Sequence, residues 1–518
     1  MPAAAAMSRR LAVAAALWLA ALSSSVHAGP VVATAQGRVE GVLERDVAVF
    51  KGLPYAQPPT GPLRWRAPRK PAAWSDTRDG SRFAPACVQN RAVSLEGGGD
   101  PGPVSEDCLY LNVWTPQGDF TTPRPVMVWL HGGALVFGAG HLPVYDASAL
   151  ARRGLVVVTI NYRLGPLGFM VHPALERESG GAAAPANFGL LDQIAALRWV
   201  QDNIASFGGD PSRVTVFGQS AGAQSVLALM ASPPAKGLFQ QAIAQSAYGL
   251  PSHPRTKARD VGVALASAAG LPGAQASAAR LRAVPAERFI ALTGPKSTLA
   301  PSFVIGDGAM PRTIVSAFRS RRQAAVPLVI GSNSDDASVA AAFGIRTDAL
   351  VRQLGAGKLF VQPHYPDVHD DAELGRQVVS DAVFAAYARR IAALHAARAP
   401  VWRYYFSRRP GGVPPSVKGV PHGGEVAVVF ESAELCNCLS APATDDDRRV
   451  AREVADRWAA FAATRKPDAA APPAWPRDGR LVSKVLEFGE QTTVRDEFMR
   501  QRLDAFIGAG NLLDAVLR

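Results

Sequence analysis

The stretch Gly218-Gln219-Ser220-Ala221-Gly222 directly follows the apolar run Val214 to Phe217 and directly precedes a run of helix formers that reaches Met230. A serine at such a strand-to-helix turn sits on strained backbone, and small residues two positions to either side let strand and helix approach closely. The amino end of the helix then lies beneath the hydroxyl, where its dipole and free N–H groups favour developing negative charge. That arrangement suits nucleophilic attack on a carbonyl carbon. A tetrahedral intermediate also needs donors aimed at its oxyanion, each worth about 3 kcal/mol. His131-Gly132-Gly133-Ala134, which follows the apolar run ending at Leu130, offers backbone N–H groups for this, and the N–H of Ala221 is a further candidate. An ordinary glycine turn is the plain alternative at both places. The strand and helix flanking Ser220 favour the chemical reading.

A serine nucleophile needs a base, and nine histidines compete for the role. His422 is the candidate, in Val420-Pro421-His422-Gly423-Gly424-Glu425, a loop after the strand-like run Val401 to Phe406. It suits the chain order nucleophile, acid, histidine. Gly331-Ser332-Asn333-Ser334-Asp335-Asp336 follows the run Pro327 to Ile330 and offers two adjacent acids. His131 reads as a structural residue of its loop. His141, His172, His253, His364, His369 and His395 lack supporting context and read as surface or capping residues. No Cys or His pairs with ligand spacing suggest a metal site.

These residues need a frame to hold them. Val126 to Leu130, Leu155 to Ile160, Val214 to Phe217, Ala242 to Ala244 and Pro327 to Ile330 are continuous apolar runs, as in strands buried on both faces. Helical patterns alternate with them: Leu190, Ile194, Leu197, Val200 and Ile204 share one face. The expected fold class is α/β, with a mostly parallel central sheet covered by helices on both faces. Val31 to Thr34, Arg38 to Leu43 and Val47 to Phe50 suggest an entry hairpin, and the Pro-rich stretch from Pro54 to Pro71 a wrapping loop. Leu250 to Arg322 reads as a helical insertion, Asp371 to Arg398 as a long helix, and Val450, Val454, Trp458 and Phe461 as the stripe of a closing helix. No internal repeat supports a solenoid or propeller.

The 518 residues are 48% hydrophobic and 19% charged, enough apolar material for one large core, with residues 29–518 expected as a single domain. Residues 1–28 read as a secretory signal: Arg9-Arg10, an apolar run from Leu11 to Leu22, and a small-residue cleavage site ending at Ala28. That run is shorter than the roughly 20 residues a membrane span needs, and no later stretch is long and apolar enough. A secreted or periplasmic protein is expected. The formal charge of +12 is spread along the chain without nucleic-acid-binding motifs, which argues against a nucleic-acid partner. Four cysteines in an exported chain allow three complete pairings. A Cys87–Cys108 bridge would close a loop of about 20 residues, worth roughly 3 kcal/mol. Cys436 and Cys438, one residue apart, are either bonded locally or reduced.

Taken together these stretches resemble the type B carboxylesterase family, the α/β-hydrolase group that includes carboxylesterases and cholinesterases. The likeness extends over Phe50 to Ala56, Ser105 to Val113, the His131 loop, Asn161-Tyr162-Arg163, and the block from Asn187 through Phe207-Gly208-Gly209-Asp210-Pro211 to Gly222. It implies an α/β-hydrolase fold with helical insertions, a Cys87–Cys108 disulfide, and a triad of Ser220, Asp336 and His422. It also implies oxyanion donors at Gly133, Ala134 and Ala221, with Gly132 shaping the loop. Ala134 stands where the family usually has a third glycine, Gln219 where it often has Glu, and Asp336 where it usually has Glu. Arg64 with Glu106, and Arg163 with Asp192, fall where the family places buried ion pairs. The expected activity is hydrolysis of small-molecule carboxylic esters through an acyl-enzyme, with no metal or organic cofactor. A neutral imidazole is required, so kcat/KM is expected to fall as pH drops through roughly 6 to 7. A non-catalytic binding protein on the same fold is disfavoured because nucleophile, base and acid are all present. A tannase-like feruloyl esterase would carry cysteines where Gln219 and Pro421 stand.

Overall fold

The computed structural model describes residues 29–516, apart from 92–98, 119, 182–183, 294–296, 298, 300–301, 415, 437, 439–440, 469–471 and 482, and no side chains beyond 511. The expected signal segment, 1–28, lies outside the described residues.

An eleven-stranded sheet forms the centre. In chain order its strands are β1 (Val42–Glu44), β2 (Val47–Pro54), β3 (Tyr110–Pro116), β4 (Arg124–Leu130), β5 (Val156–Ile160), β6 (Gly209–Gln219), β7 (Gln241–Gln245), β8 (Leu328–Asn333), β9 (Val401–Phe406), β10 (Lys484–Phe488) and β11 (Thr492–Asp496). Their spatial order is β11-β10-β9-β8-β7-β6-β4-β5-β3-β2-β1. The seven strands from β10 to β5 pair in parallel, and antiparallel strands close both edges. The apolar runs read from the sequence are the middle of this sheet; Val126, Met127, Val128, Trp129 and Leu130 are all fully buried. This mostly parallel sheet with antiparallel edges and helices on both faces is the expected α/β-hydrolase architecture.

Helices cover both faces. Helix α1 (Phe188–Asn203) buries Leu190, Ile194, Leu197 and Val200, the face its spacing indicates, and α2 (Ala221–Ala231) is buried along its whole length. A long helix begins at Asp371, passes through a π-helical stretch at Ser380–Ala385 and continues as Ala386–His395. The closing helix, Asp445–Thr464, starts with a capping box between Thr444 and Asp447 and buries Val450, Val454, Trp458 and Phe461. Among the described residues no helix is long and apolar enough to cross a membrane.

One expectation needs correction and one gains a detail. The run Arg38 to Leu43 is not one strand: it breaks between Gly37–Glu40 and β1 at Gly41, where a Cβ would come within 2.6 Å of the Val49 carbonyl oxygen. The region Leu250 to Arg322 is helical but also holds a short parallel pair, His253–Pro254 with Val304–Ile305.

Cys87 and Cys108 are bonded, with Cα atoms 4.9 Å apart, and Cys436 and Cys438 are bonded as well. Arg163 lies 2.7 Å from both carboxylate oxygens of Asp192, and Arg64 engages both oxygens of Glu106 at 2.5 and 2.6 Å. The Arg163 pair is buried, so removing either partner would strand a charge at a cost of several kcal/mol.

Candidate active site

In an open α/β sheet the crevice outside the carboxyl ends of the strands, where strand order reverses, is the natural binding place. Here β5 and β6 lie on opposite sides of β4, and the candidate residues gather at that end. β4 leads into the His131 loop, β6 into Ser220, β8 into the Asp335–Asp336 turn, and the chain after β9 into the His422 loop.

Ser220 has φ 56° and ψ −122°, a conformation L residues avoid, which lifts its side chain clear of strand and helix. The flanking glycines make it possible. A Cβ on Gly222 would lie 1.9 Å from the Leu130 carbonyl oxygen, and one on Gly218 would lie 2.7 Å from the same oxygen. Strand β4, the elbow and α2 are therefore in contact through bare backbone.

The loop after β4 turns on three successive positive φ values, 105° at Gly133, 52° at Ala134 and 64° at Leu135. The carbonyl of Gly133 accepts from the N–H groups of Val136 and Phe137 at 2.9 and 3.1 Å, which closes the turn. Among the described residues, the N–H groups of Gly133, Ala134 and Ala221 donate to no protein acceptor. Ala134 accepts the left-handed geometry despite its Cβ.

His131 braces this loop. Its ring stacks on Tyr162 with centroids 4.3 Å apart, its Nδ1 lies 2.8 Å from the Gly132 carbonyl, and Tyr162 donates to the His131 carbonyl at 2.7 Å. Burial pushes the imidazole down to about 4 from its usual 6.5, so it is neutral at neutral pH. The unfolded chain binds this proton more readily, so stability should be full above pH 6.5 and decline between there and about 4. At about 1.4 kcal/mol per pKa unit the loss is on the order of 3 kcal/mol. Urea unfolding of wild type and His131→Asn across that range measures it: the variant, less stable at pH 7, should show a shallower decline.

Asp336 is fully buried, with Oδ1 2.7 Å from Nδ1 of His422. Its Oδ2 accepts from the Asn333 N–H at 2.7 Å and the Ser246 hydroxyl at 3.0 Å. Asp335 turns the other way: its Oδ1 accepts from Arg376 at 3.0 Å. Burial raises the Asp335 carboxyl despite that guanidinium. The acid loop and the histidine loop are laced together by hydrogen bonds from backbone N–H groups. The Asp335 N–H donates to the Val420 carbonyl at 2.9 Å, the Val420 N–H to Ser334 Oγ at 2.9 Å, and the His422 N–H to Ser338 Oγ at 2.8 Å.

Three neighbours were not assigned a role from the sequence. Ser246, at the end of β7 with φ 51°, anchors the Asp336 carboxylate. Glu425 is buried on the histidine loop and accepts from Gln245 at 3.2 Å and Asn333 at 2.5 Å; burial first, then the nearby Asp336 charge, raise its carboxyl. The third is Gln219, whose side-chain nitrogen lies 3.2 Å from Nε2 of His422. Ser220 Oγ itself makes no hydrogen bond to His422 or to another described residue.

The "Carboxylesterase family" model matches residues 28–359 and 360–506. A fumonisin B1 esterase from Sphingopyxis macrogoltabida is 39% identical over 479 residues, covering 88% of this chain and 86% of the relative. A para-nitrobenzyl esterase from Bacillus subtilis is 34% identical, covering 90% and 96%. A Geobacillus stearothermophilus carboxylesterase structure superposes with TM-score 0.79 at 31% identity, covering 92% of this chain and 99% of that one. With a family match across nearly the whole described chain and esterases as its relatives, this chain belongs to the carboxylesterase family and is a carboxylic ester hydrolase.

Proposed function

We propose that the enzyme cleaves small-molecule carboxylic esters with Ser220 as nucleophile, His422 as general base and acid, and Asp336 as the group that orients the ring. The observation that carries this reading is the 2.7 Å contact between Asp336 Oδ1 and His422 Nδ1, made at the strand ends where the strained Ser220 elbow lies. The ring then keeps its proton on Nδ1, and Nε2, which faces the Gln219 amide at 3.2 Å in this structure, takes the proton of Ser220 as the hydroxyl attacks the ester carbonyl. The N–H groups of Gly133, Ala134 and Ala221, which donate to no acceptor among the described residues, receive the oxyanion, and Gly132 gives their loop its approach to the elbow. Collapse of the intermediate passes the proton to the leaving alcohol and leaves an acyl group on Ser220. Water repeats the sequence and frees the acid.

Several relatives are named as esterases, among them a fumonisin B1 esterase, a para-nitrobenzyl esterase and a cocaine esterase. That range supports a small-molecule carboxylic ester as the substrate class. The N-terminal Arg9-Arg10, apolar run and Ala28 site support export with removal of residues 1–28.

Intact-mass analysis of exported protein after treatment with an alkyl fluorophosphonate tests both proposals at once. The expected species is a chain starting at Gly29 that gains one phosphonyl group, mapped by peptide sequencing to Ser220, with ester turnover lost in step. An adduct on another residue overturns the nucleophile assignment, and a mature chain starting elsewhere overturns the cleavage site.

A further inference from the structure

The open nitrogen of His422 is not met by the serine hydroxyl. It is met by the carboxamide of Gln219, one residue earlier in the chain, at 3.2 Å. An amide nitrogen can only donate, so the ring nitrogen must accept, and the ring proton must then sit on Nδ1. The same tautomer is demanded from the other side, where Nδ1 faces Asp336 Oδ1 at 2.7 Å. Two independent contacts thus specify one protonation pattern, the one a general base needs.

The slot holding this carboxamide is built from two glycines on different loops. A Cβ on Gly132 would approach Gln219 Oε1 to 2.9 Å, and one on Gly423 would lie 3.5 Å from Gln219 Nε2. Gln219 is only 7% exposed, so the amide is packed between the oxyanion loop and the histidine loop.

We propose that Gln219 is a positioning residue: its amide N–H occupies Nε2 of His422 between turnovers, fixes the ring as the Nδ1–H tautomer, and yields that lone pair to Ser220 when substrate binds. This inference rests on the assignment of Ser220 and His422 made above. Gln219 and Ser220 are consecutive residues of the elbow, so both side chains start from the same turn. A hydrogen bond donated to the neutral ring favours the neutral form, whereas a carboxylate in the same slot would favour the imidazolium. The other groups around the ring are Asp336 on the acid loop, Glu425 on the ring's own loop, and the apolar Phe384, whose ring centroid lies 5.1 Å away. Asp335 is engaged with Arg376.

The test is the pH profile of kcat/KM on an uncharged ester for wild type, Gln219→Glu and Gln219→Met. The midpoint of the acid limb does not depend on how much of a variant is folded, so a stability defect does not obscure it. The expected order is wild type lowest, Gln219→Met higher, and Gln219→Glu highest, by about one pH unit or more over wild type. At the wild-type midpoint, Gln219→Glu should then lose about tenfold relative to its own plateau. Coincident limbs, or equal loss in both variants at every pH, overturn the proposal and leave Gln219 a packing residue. Phosphonate labelling of the same preparations separates the two failures. Label on Ser220 with unmoved limbs defeats the Gln219 role alone, and label elsewhere defeats the serine assignment beneath it.

Discussion

Ester turnover by Ser220→Ala should fall by on the order of 10⁴-fold or more, and adding His422→Ala should cost almost nothing further. The two side chains act as one unit: without the hydroxyl the imidazole has no proton to take, and without the imidazole the hydroxyl is a poor nucleophile. Whatever rate survives should come from substrate held against the unengaged N–H groups of Gly133, Ala134 and Ala221, where water attacks unaided. Folding should be nearly untouched by the serine change, because Ser220 Oγ makes no hydrogen bond to another described residue and the strain of the elbow is in the backbone. The measurement is kcat/KM of the two single variants and the double variant on one ester, with thermal unfolding as control. Losses that multiply in the double variant would mean that the residues act separately, and the triad would not stand.

The parts of this site that were legible in the sequence are those whose physics is local. A serine between glycines at a strand-to-helix junction is a short-range pattern, and the contacts that a Cβ on Gly218 or Gly222 would make with Leu130 show why the spacing is strict. The alternating apolar runs gave the sheet because central parallel strands are buried on both faces, whereas the β10–β11 edge hairpin escaped notice. Its second strand is largely exposed and mixes Thr, Arg and Asp, so no apolar run marks it. The π-helical stretch at Ser380–Ala385 is likewise invisible to a helical spacing. Long-range partners were harder still. Ser246 meets Asp336 across 90 positions, Asn333 meets Glu425 across 92, and Gln219 meets His422 across 203. Nothing in the neighbourhood of these residues announces the meeting. The family resemblance named Asp336 over Asp335, and composition and order alone could not separate adjacent acids of identical chemistry; in the fold Asp336 faces His422 and Asp335 faces Arg376.

That direction carries the sharpest numerical expectation. Asp336→Asn should lower kcat by roughly 10⁴ while leaving the fold intact. Oδ2 accepts two hydrogen bonds, from the Asn333 N–H and the Ser246 hydroxyl, while Oδ1 alone faces the ring. An asparagine placed there must choose which way its amide points. Its oxygen is claimed by the two donors, which turns the NH₂ toward Nδ1 and forces the ring proton onto Nε2. In that tautomer the imidazole cannot receive the proton of Ser220. The opposite orientation would set the NH₂ against two N–H and O–H donors, leaving buried polar groups unpaired at about 1–3 kcal/mol. Removing one of those donors tests the cause directly: Ser246→Ala should weaken the preference and restore part of the activity lost by Asp336→Asn. Asp335→Asn is the contrast, because Arg376 retains Glu373 at 2.6 Å after the change, and its activity should stay within about tenfold of wild type. Severe loss in Asp335→Asn together with mild loss in Asp336→Asn would reverse the assignment of the acid.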